Sequence, residues 1–113
     1  MLRALLLDDD PMFGRAMVRL AAGRDIDLTA VETIAQAREL LGSRRFDAVL
    51  CDYHLGKEGL CSPVVAELVE DAQRVAVYTS DVGGARRDAK LAGVPILSKS
   101  ELGAALDWVA DTP

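Results

Sequence analysis

The sequence is short of the residues from which metal and disulfide scaffolds are built. Its 113 residues include two cysteines and one histidine. With His54 as the only imidazole, Cys and His cannot supply a four-ligand zinc set. Cys51 and Cys61 stand ten residues apart and allow one disulfide at most. The opening segment MLRALLLDDD meets three acids too early for a secretory signal, so two reduced thiols and a cytoplasmic location are expected. No apolar run approaches the roughly 20 residues that span a bilayer, which argues against a membrane role. A basic face is missing too. Residues 1–56 carry seven basic and nine acidic side chains, residues 57–113 six and nine, for a net charge of −5. Neither half is suited to gripping a phosphate backbone, and direct nucleic-acid binding is not expected.

What is present is a chain of one-domain length, half of it hydrophobic, with no repeat, low-complexity stretch or linker. Five short apolar runs punctuate it, at residues 4–7, 28–31, 48–51, 75–78 and 94–97. They are aliphatic and do not alternate strictly, as in strands covered on both faces. Helical spacing fills the intervals. Phe13, Ala16, Met17, Leu20 and Ala21 share one stripe. Val65, Leu68, Val69 and Ala72 make a second, and Leu102, Ala105, Leu106 and Val109 a third. Asp10-Pro11 predicts a capped helix start and Gly23 its stop. Thr33 and Gln36 have capping-box spacing, with Gly42 closing that helix. Ser62-Pro63 predicts another capped start, a short helix is expected over 85–92 ending at Gly93, and Ser100 is placed to cap the last helix. Strand and helix thus alternate five times, which predicts a doubly wound α/β fold: a parallel five-stranded sheet of order 2-1-3-4-5, flavodoxin-like, covering residues 1–113 as one domain. Pro95 in the fifth run suits a strand at the sheet edge.

In such sheets ligands bind beyond the carboxyl ends of the strands, where the strand order reverses. The residues following the five runs are therefore the informative ones. Asp8, Asp9 and Asp10 follow the first, Glu32 and Thr33 the second, and Asp52 the third. Thr79, Ser80 and Asp81 follow the fourth, and Ser98 and Lys99 the fifth. Strands 1 and 3 are expected neighbours, so Asp8, Asp9 and Asp52 are expected to converge. Two like charges about 4 Å apart cost on the order of 4 kcal/mol at an effective dielectric near 20. Such a cluster takes up protons or binds a hard cation such as Mg²⁺. Lys99 and the Thr79 hydroxyl add what an anionic phosphoryl group needs. Taken singly, Asp10 reads as a helix cap, Asp8 and Asp9 as helix-start acids and Asp52 as a turn residue.

The segments LLLDDDP (5–11), DAVLCDYHLGKEGL (47–60), VAVYTS (75–80) and AGVPILSKS (92–100) together resemble the receiver domain of two-component response regulators, over essentially the whole chain. The resemblance implies that Asp52 is the phosphoacceptor. It also implies that Asp8, Asp9, Asp52 and the His54 backbone carbonyl hold Mg²⁺ (or Mn²⁺), with Asp9 the more direct ligand of the acidic pair. Thr79 and Lys99 would contact phosphoryl oxygens. The implied partner is a sensor histidine kinase or a histidine phosphotransfer protein, and the chain would be a signalling module rather than an enzyme. His54 and Asp81, two residues beyond Asp52 and Thr79, would border the path of attacking water and tune dephosphorylation.

Several positions depart from the family pattern. Ser100 replaces the usual proline after the lysine, so a trans peptide or visible strain is expected there. Ile96 stands at the switch position, usually aromatic. Gly56 takes the place of a common proline, and Gly83-Gly84 promises a pliable loop after the fourth strand. Two alternatives stay open. One is a phosphorylation-independent pseudo-receiver that only docks a partner. The other is a haloacid-dehalogenase-like phosphatase using Asp8 and Asp10, although Met12 stands where that family has Thr or Val.

Overall fold

The computed structural model describes residues 1–113. Its elements run β1 (Leu2–Leu7), α1 (Pro11–Ala22), β2 (Ile26–Val31), α2 (Ile34–Ser43), β3 (Ala48–Cys51), α3 (Ser62–Glu70), β4 (Val75–Thr79), α4 (Val82–Arg87), β5 (Ile96–Ser98) and α5 (Leu102–Ala110), with single 3₁₀ turns at Gly56–Glu58 and Ala89–Leu91. The strands form one parallel sheet of order β2-β1-β3-β4-β5, as the alternation of elements predicts. Parallel pairing demands crossovers, and right-handed ones distribute the helices over both faces. Leu6, Leu50, Ala76 and Tyr78 pack with Met17, Ala21, Leu106 and Val109 of α1 and α5. Leu5, Leu7, Val49, Cys51 and Val77 pack on the other face with Ala37, Val65, Leu68 and Ala85 of α2, α3 and α4. Every residue of β3 and β4 is buried, which explains the unbroken apolar runs. No helix is long and apolar enough to cross a membrane.

Helix starts follow the local chemistry where the capping oxygen is free. The Asp10 carboxylate accepts from the Met12 and Phe13 N–H groups, with Pro11 at the first helical position. Thr33 and Gln36 complete a capping box on α2. Thr33→Ala removes one side of that box, and a loss of about 1 kcal/mol in a urea unfolding titration is expected. Gly14 lets α1 approach β2 closely, since a Cβ there would lie 3.1 Å from the Ala30 methyl.

Other boundaries differ from the sequence expectation. Gly42 lies within α2, which runs on to Ser43, whose hydroxyl donates to the Glu39 carbonyl. Gly23 does end α1 but stays right-handed, and the left-handed residue of that turn is Asp25. Ser62 is the first residue of α3 rather than its cap, because its buried hydroxyl faces Asp88 instead of the helix N–H groups. The helix expected over 85–92 begins at Val82, where Asp81 caps it through the Gly84 N–H. It breaks at Asp88, which turns extended and starts the 3₁₀ turn. Ser100 caps nothing, because its hydroxyl is paired with that of Ser98. Pro95 lies just before β5, an edge strand as expected, and offers its carbonyl to the Val77 N–H. The Lys99–Ser100 peptide is trans.

Candidate functional site

Register delivers the polar residues to one rim. Leu7 of β1 is opposite Cys51 of β3, and the Asp52 N–H donates to the Leu7 carbonyl at 2.9 Å. The residues after these strand ends, Asp8 and Asp9 on one side and Asp52 on the other, must therefore be neighbours. One carboxylate oxygen from each of the three lies within 4.8 Å of the others. Thr79 ends β4 opposite Ser98, and the Lys99 N–H donates to the Thr79 carbonyl at 3.0 Å. That bond brings the lysine side chain to the same rim.

Lys99 Nζ donates to Asp8 Oδ2 at 2.8 Å and to Asp52 Oδ2 at 2.9 Å. Asp8 is 2 % exposed and Asp52 7 %, so two acids sit in a poorly solvated place with one ammonium between them. Burial raises the Asp8 pKa above its usual value, against the lowering effect of the Lys99 hydrogen bond. Burial pulls the Lys99 pKa down, but its bonds to Asp8 and Asp52 outweigh this and leave it above the usual lysine value. Asp9 is exposed, and its carboxylate lies where a side chain at position 56 would begin. A Cβ on Gly56, which has φ +60, would stand 2.7 Å from Asp9 Oδ2. Asp10 is absent from the cluster, because its carboxylate is engaged as the α1 cap. An all-oxygen set with a surplus of negative charge fits a hard divalent cation. The His54 carbonyl remains available to such a site. The isolated bridge between His54 and Leu60 is made by the flanking pairs Leu55–Gly59 and Cys61–Tyr53, so that carbonyl is not consumed in it.

The loop after Asp52 is tied to its surroundings by contacts the sequence did not announce. The His54 Nε2 and Asp81 Oδ2 atoms are 2.7 Å apart, and this bond, with that from the Gly84 N–H, lowers the Asp81 pKa. The Tyr53 hydroxyl donates to Asp88 Oδ2 at 3.0 Å. Two consecutive side chains thus hold the two capping residues of α4. Glu58 accepts the Ile34 N–H at the start of α2. Thr79 is fully buried, and its hydroxyl oxygen accepts the Asp81 N–H. Ile96 is half-buried, pairs with Val77 and packs against the α2–α3–α4 face. The aromatic ring next to Thr79 is Tyr78, fully enclosed on the opposite face. Cys51 and Cys61 are free, buried thiols.

Tyr78 supplies a pH signature. Burial pushes its phenol up to about 12, and its hydroxyl has only the Met17 sulfur, at 3.9 Å, as a partner. A pKa raised in the folded state means stability that is complete below the ordinary tyrosine value of 10.0 and lost as pH rises toward about 12. Wild-type stability in urea is expected to fall across that interval. Tyr78→Phe is expected to flatten the decline while costing little at neutral pH.

The sequence matches no family model and no curated protein. The fold has many solved counterparts. The receiver domain of Francisella response regulator 1452 is similar with a TM-score of 0.83 at 16 % identity, covering 97 % of this chain and 94 % of that one. Response regulator TrrA of Thermotoga maritima, solved with Mg²⁺ and a beryllium fluoride, is similar at 0.83 and 17 %, covering 96 % and 99 %. A response regulator of Burkholderia pseudomallei, solved with a phosphorylated aspartic acid, a calcium ion and citrate, gives 0.76 and 22 %, covering 94 % of this chain and 66 % of that one.

Proposed function

We propose that this chain, which has the fold of response regulator receiver domains, is a phosphoacceptor of a two-component or phosphorelay pathway. It takes a phosphoryl group from a phosphohistidine of a sensor histidine kinase or histidine phosphotransfer protein onto Asp52, and its partner contacts change with that state. The observation that carries this reading is the double bond-partnership of Lys99, which joins Asp8 and Asp52 in one acidic pocket at the carboxyl rim.

In the transfer, an Asp52 carboxylate oxygen forms a bond to phosphorus as the phosphorus–nitrogen bond of the donor breaks. The electron pair of that bond leaves with the donor imidazole. Lys99 moves from the Asp52 oxygen to a phosphoryl oxygen, and the Thr79 hydroxyl donates to another. Asp8, Asp9, Asp52 and the His54 carbonyl would hold Mg²⁺ or Mn²⁺, with Asp9 the more direct ligand of the acidic pair. When bound, such an ion neutralises the negative charge that gathers on the phosphoryl oxygens. His54 and Asp81, paired at the mouth of the site, regulate the lifetime of the acyl phosphate by controlling the approach of water.

Incubation with acetyl phosphate followed by intact-mass measurement tests the proposal. A single phosphoryl adduct that needs Mg²⁺ and maps to Asp52 is expected. Unmodified protein after treatment with donor and metal would overturn it and leave a phosphorylation-independent docking module. An adduct on Asp8 would instead identify a haloacid-dehalogenase-like phosphatase.

A further inference from the structure

Phe13 belongs to the apolar stripe of α1, but its ring also has a charged neighbour. Lys99 Nζ stands 4.4 Å from the ring centroid while it bonds Asp8 and Asp52. The residue is held from several sides. Its backbone N–H donates to the Asp10 carboxylate at 3.4 Å, its ring centroid lies 5.7 Å from that of Tyr78, and it packs against the core under α1 and α5. We infer that Phe13 is a positioning residue for Lys99, an aromatic seat that keeps the ammonium aimed into the acidic pocket while its ionic partners change.

The argument rests on the proposed phosphoacceptor function and on charge. Of the three groups around the ammonium, two are carboxylates that the reaction would divert. Asp52 loses charge when its oxygen becomes bonded to phosphorus, and Asp8 would be among the ligands of a divalent cation. The ring alone keeps its interaction unchanged, because its negative face attracts a cation without taking part in the chemistry. Lys99 has a flexible four-carbon stem, so without the ring its head would search more positions once the carboxylates are occupied. Phe13 as mere core filling predicts something different. Leucine would then lower stability by the packing it loses but leave the phosphorylation rate of the folded protein unchanged.

Phe13→Leu and Phe13→Tyr separate the two views by a measurement that needs no phosphorylation. The Lys99 ε-methylene protons of the wild type are expected upfield of those of Lys57 and Lys90, the two other lysines, both exposed, because the ammonium they adjoin stands over an aromatic face. Phe13→Tyr is expected to retain that shift and Phe13→Leu to abolish it. The rate of phosphorylation by acetyl phosphate at saturating Mg²⁺ is then expected to fall on the order of tenfold in Phe13→Leu and to recover in Phe13→Tyr. An unshifted Lys99 signal in the wild type, or equal rates in Phe13→Leu and wild type, overturns the inference. A shifted Lys99 signal in a protein that takes no phosphoryl group leaves the seat intact and removes the proposed function alone.

Discussion

Asp52→Asn is expected to abolish phosphoryl uptake while leaving the fold intact. The amide has the shape of the carboxylate but lacks the nucleophilic oxygen, and its carbonyl can still accept from Lys99. Val49 and Leu50, buried on the two faces of the preceding strand, are untouched by the change. The electrostatic balance improves. Asp8, Asp9 and Asp52 bring three negative charges within 4.8 Å against one ammonium. At an effective dielectric near 20, each like-charge pair at about 4 Å costs on the order of 4 kcal/mol before solvent and Lys99 reduce it. Removing one acid should therefore leave the thermal midpoint unchanged or raised. Mg²⁺ is expected to raise the wild-type midpoint, since a ligand held only by the folded state stabilises it, and to have a much smaller effect on the variant. Mass spectrometry and thermal melts with and without Mg²⁺ test both parts. A phosphorylated Asp52→Asn protein would refute the assignment.

Lys99→Met is expected to have the largest effect on stability. It leaves Asp8 and Asp52 in place with no cation between them. Breaking such a pair costs about 3 kcal/mol, the lower end of the usual range, because the Lys99 side chain is 18 % exposed. For a domain of this size that corresponds to a midpoint lowered on the order of 10 °C. The raised Lys99 pKa fixes the pH range. Its contribution is complete below the ordinary lysine value of 10.5 and disappears as pH rises through the folded-state value above it. The variant's deficit is thus expected to persist at neutral pH and shrink only in strong alkali. Adding Asp8→Asn to Lys99→Met is expected to recover more than half of the loss, because much of the cost is an uncompensated acid and not a lost contact. A Lys99→Met protein as stable as wild type would mean that the acids are solvated or protonated, contrary to the geometry.

The strand order and the convergence of Asp8, Asp9 and Asp52 were legible because both depend on local signals. Five apolar runs separated by helical stretches leave few parallel arrangements, and a residue that follows a strand can lie only at its carboxyl end. Caps were legible where the capping side chain had no competitor, as at Asp10 and Thr33. Ser62 and Ser100 have the right residue type in the right place, yet their hydroxyls face Asp88 and Ser98. Asp88 is brought to Ser62 by tertiary packing, which local spacing does not encode, and Ser98 competes for Ser100 from two residues away. Asp81 and Asp88 escaped notice as a pair of caps seven residues apart, because Asp81 reads first as a site residue and glycines at 83 and 84 obscure a helix between them. The same limit applies to Phe13. Its position in the α1 stripe announces burial, while its contact with a lysine 86 residues away depends on how β5 ends.

The short α4 is fastened at both ends to one dipeptide. Asp81, at its start, is bonded to His54, and Asp88, at its finish, to Tyr53. A helix of six residues is about 9 Å long, so its two fastened ends lie less than two turns apart. Any small advance or retreat of the Tyr53–His54 backbone is therefore felt at the front and rear of that helix together. The fifth strand has Ile96 facing Val77 and no aromatic residue, and the two tethers begin at the very next residue after Asp52.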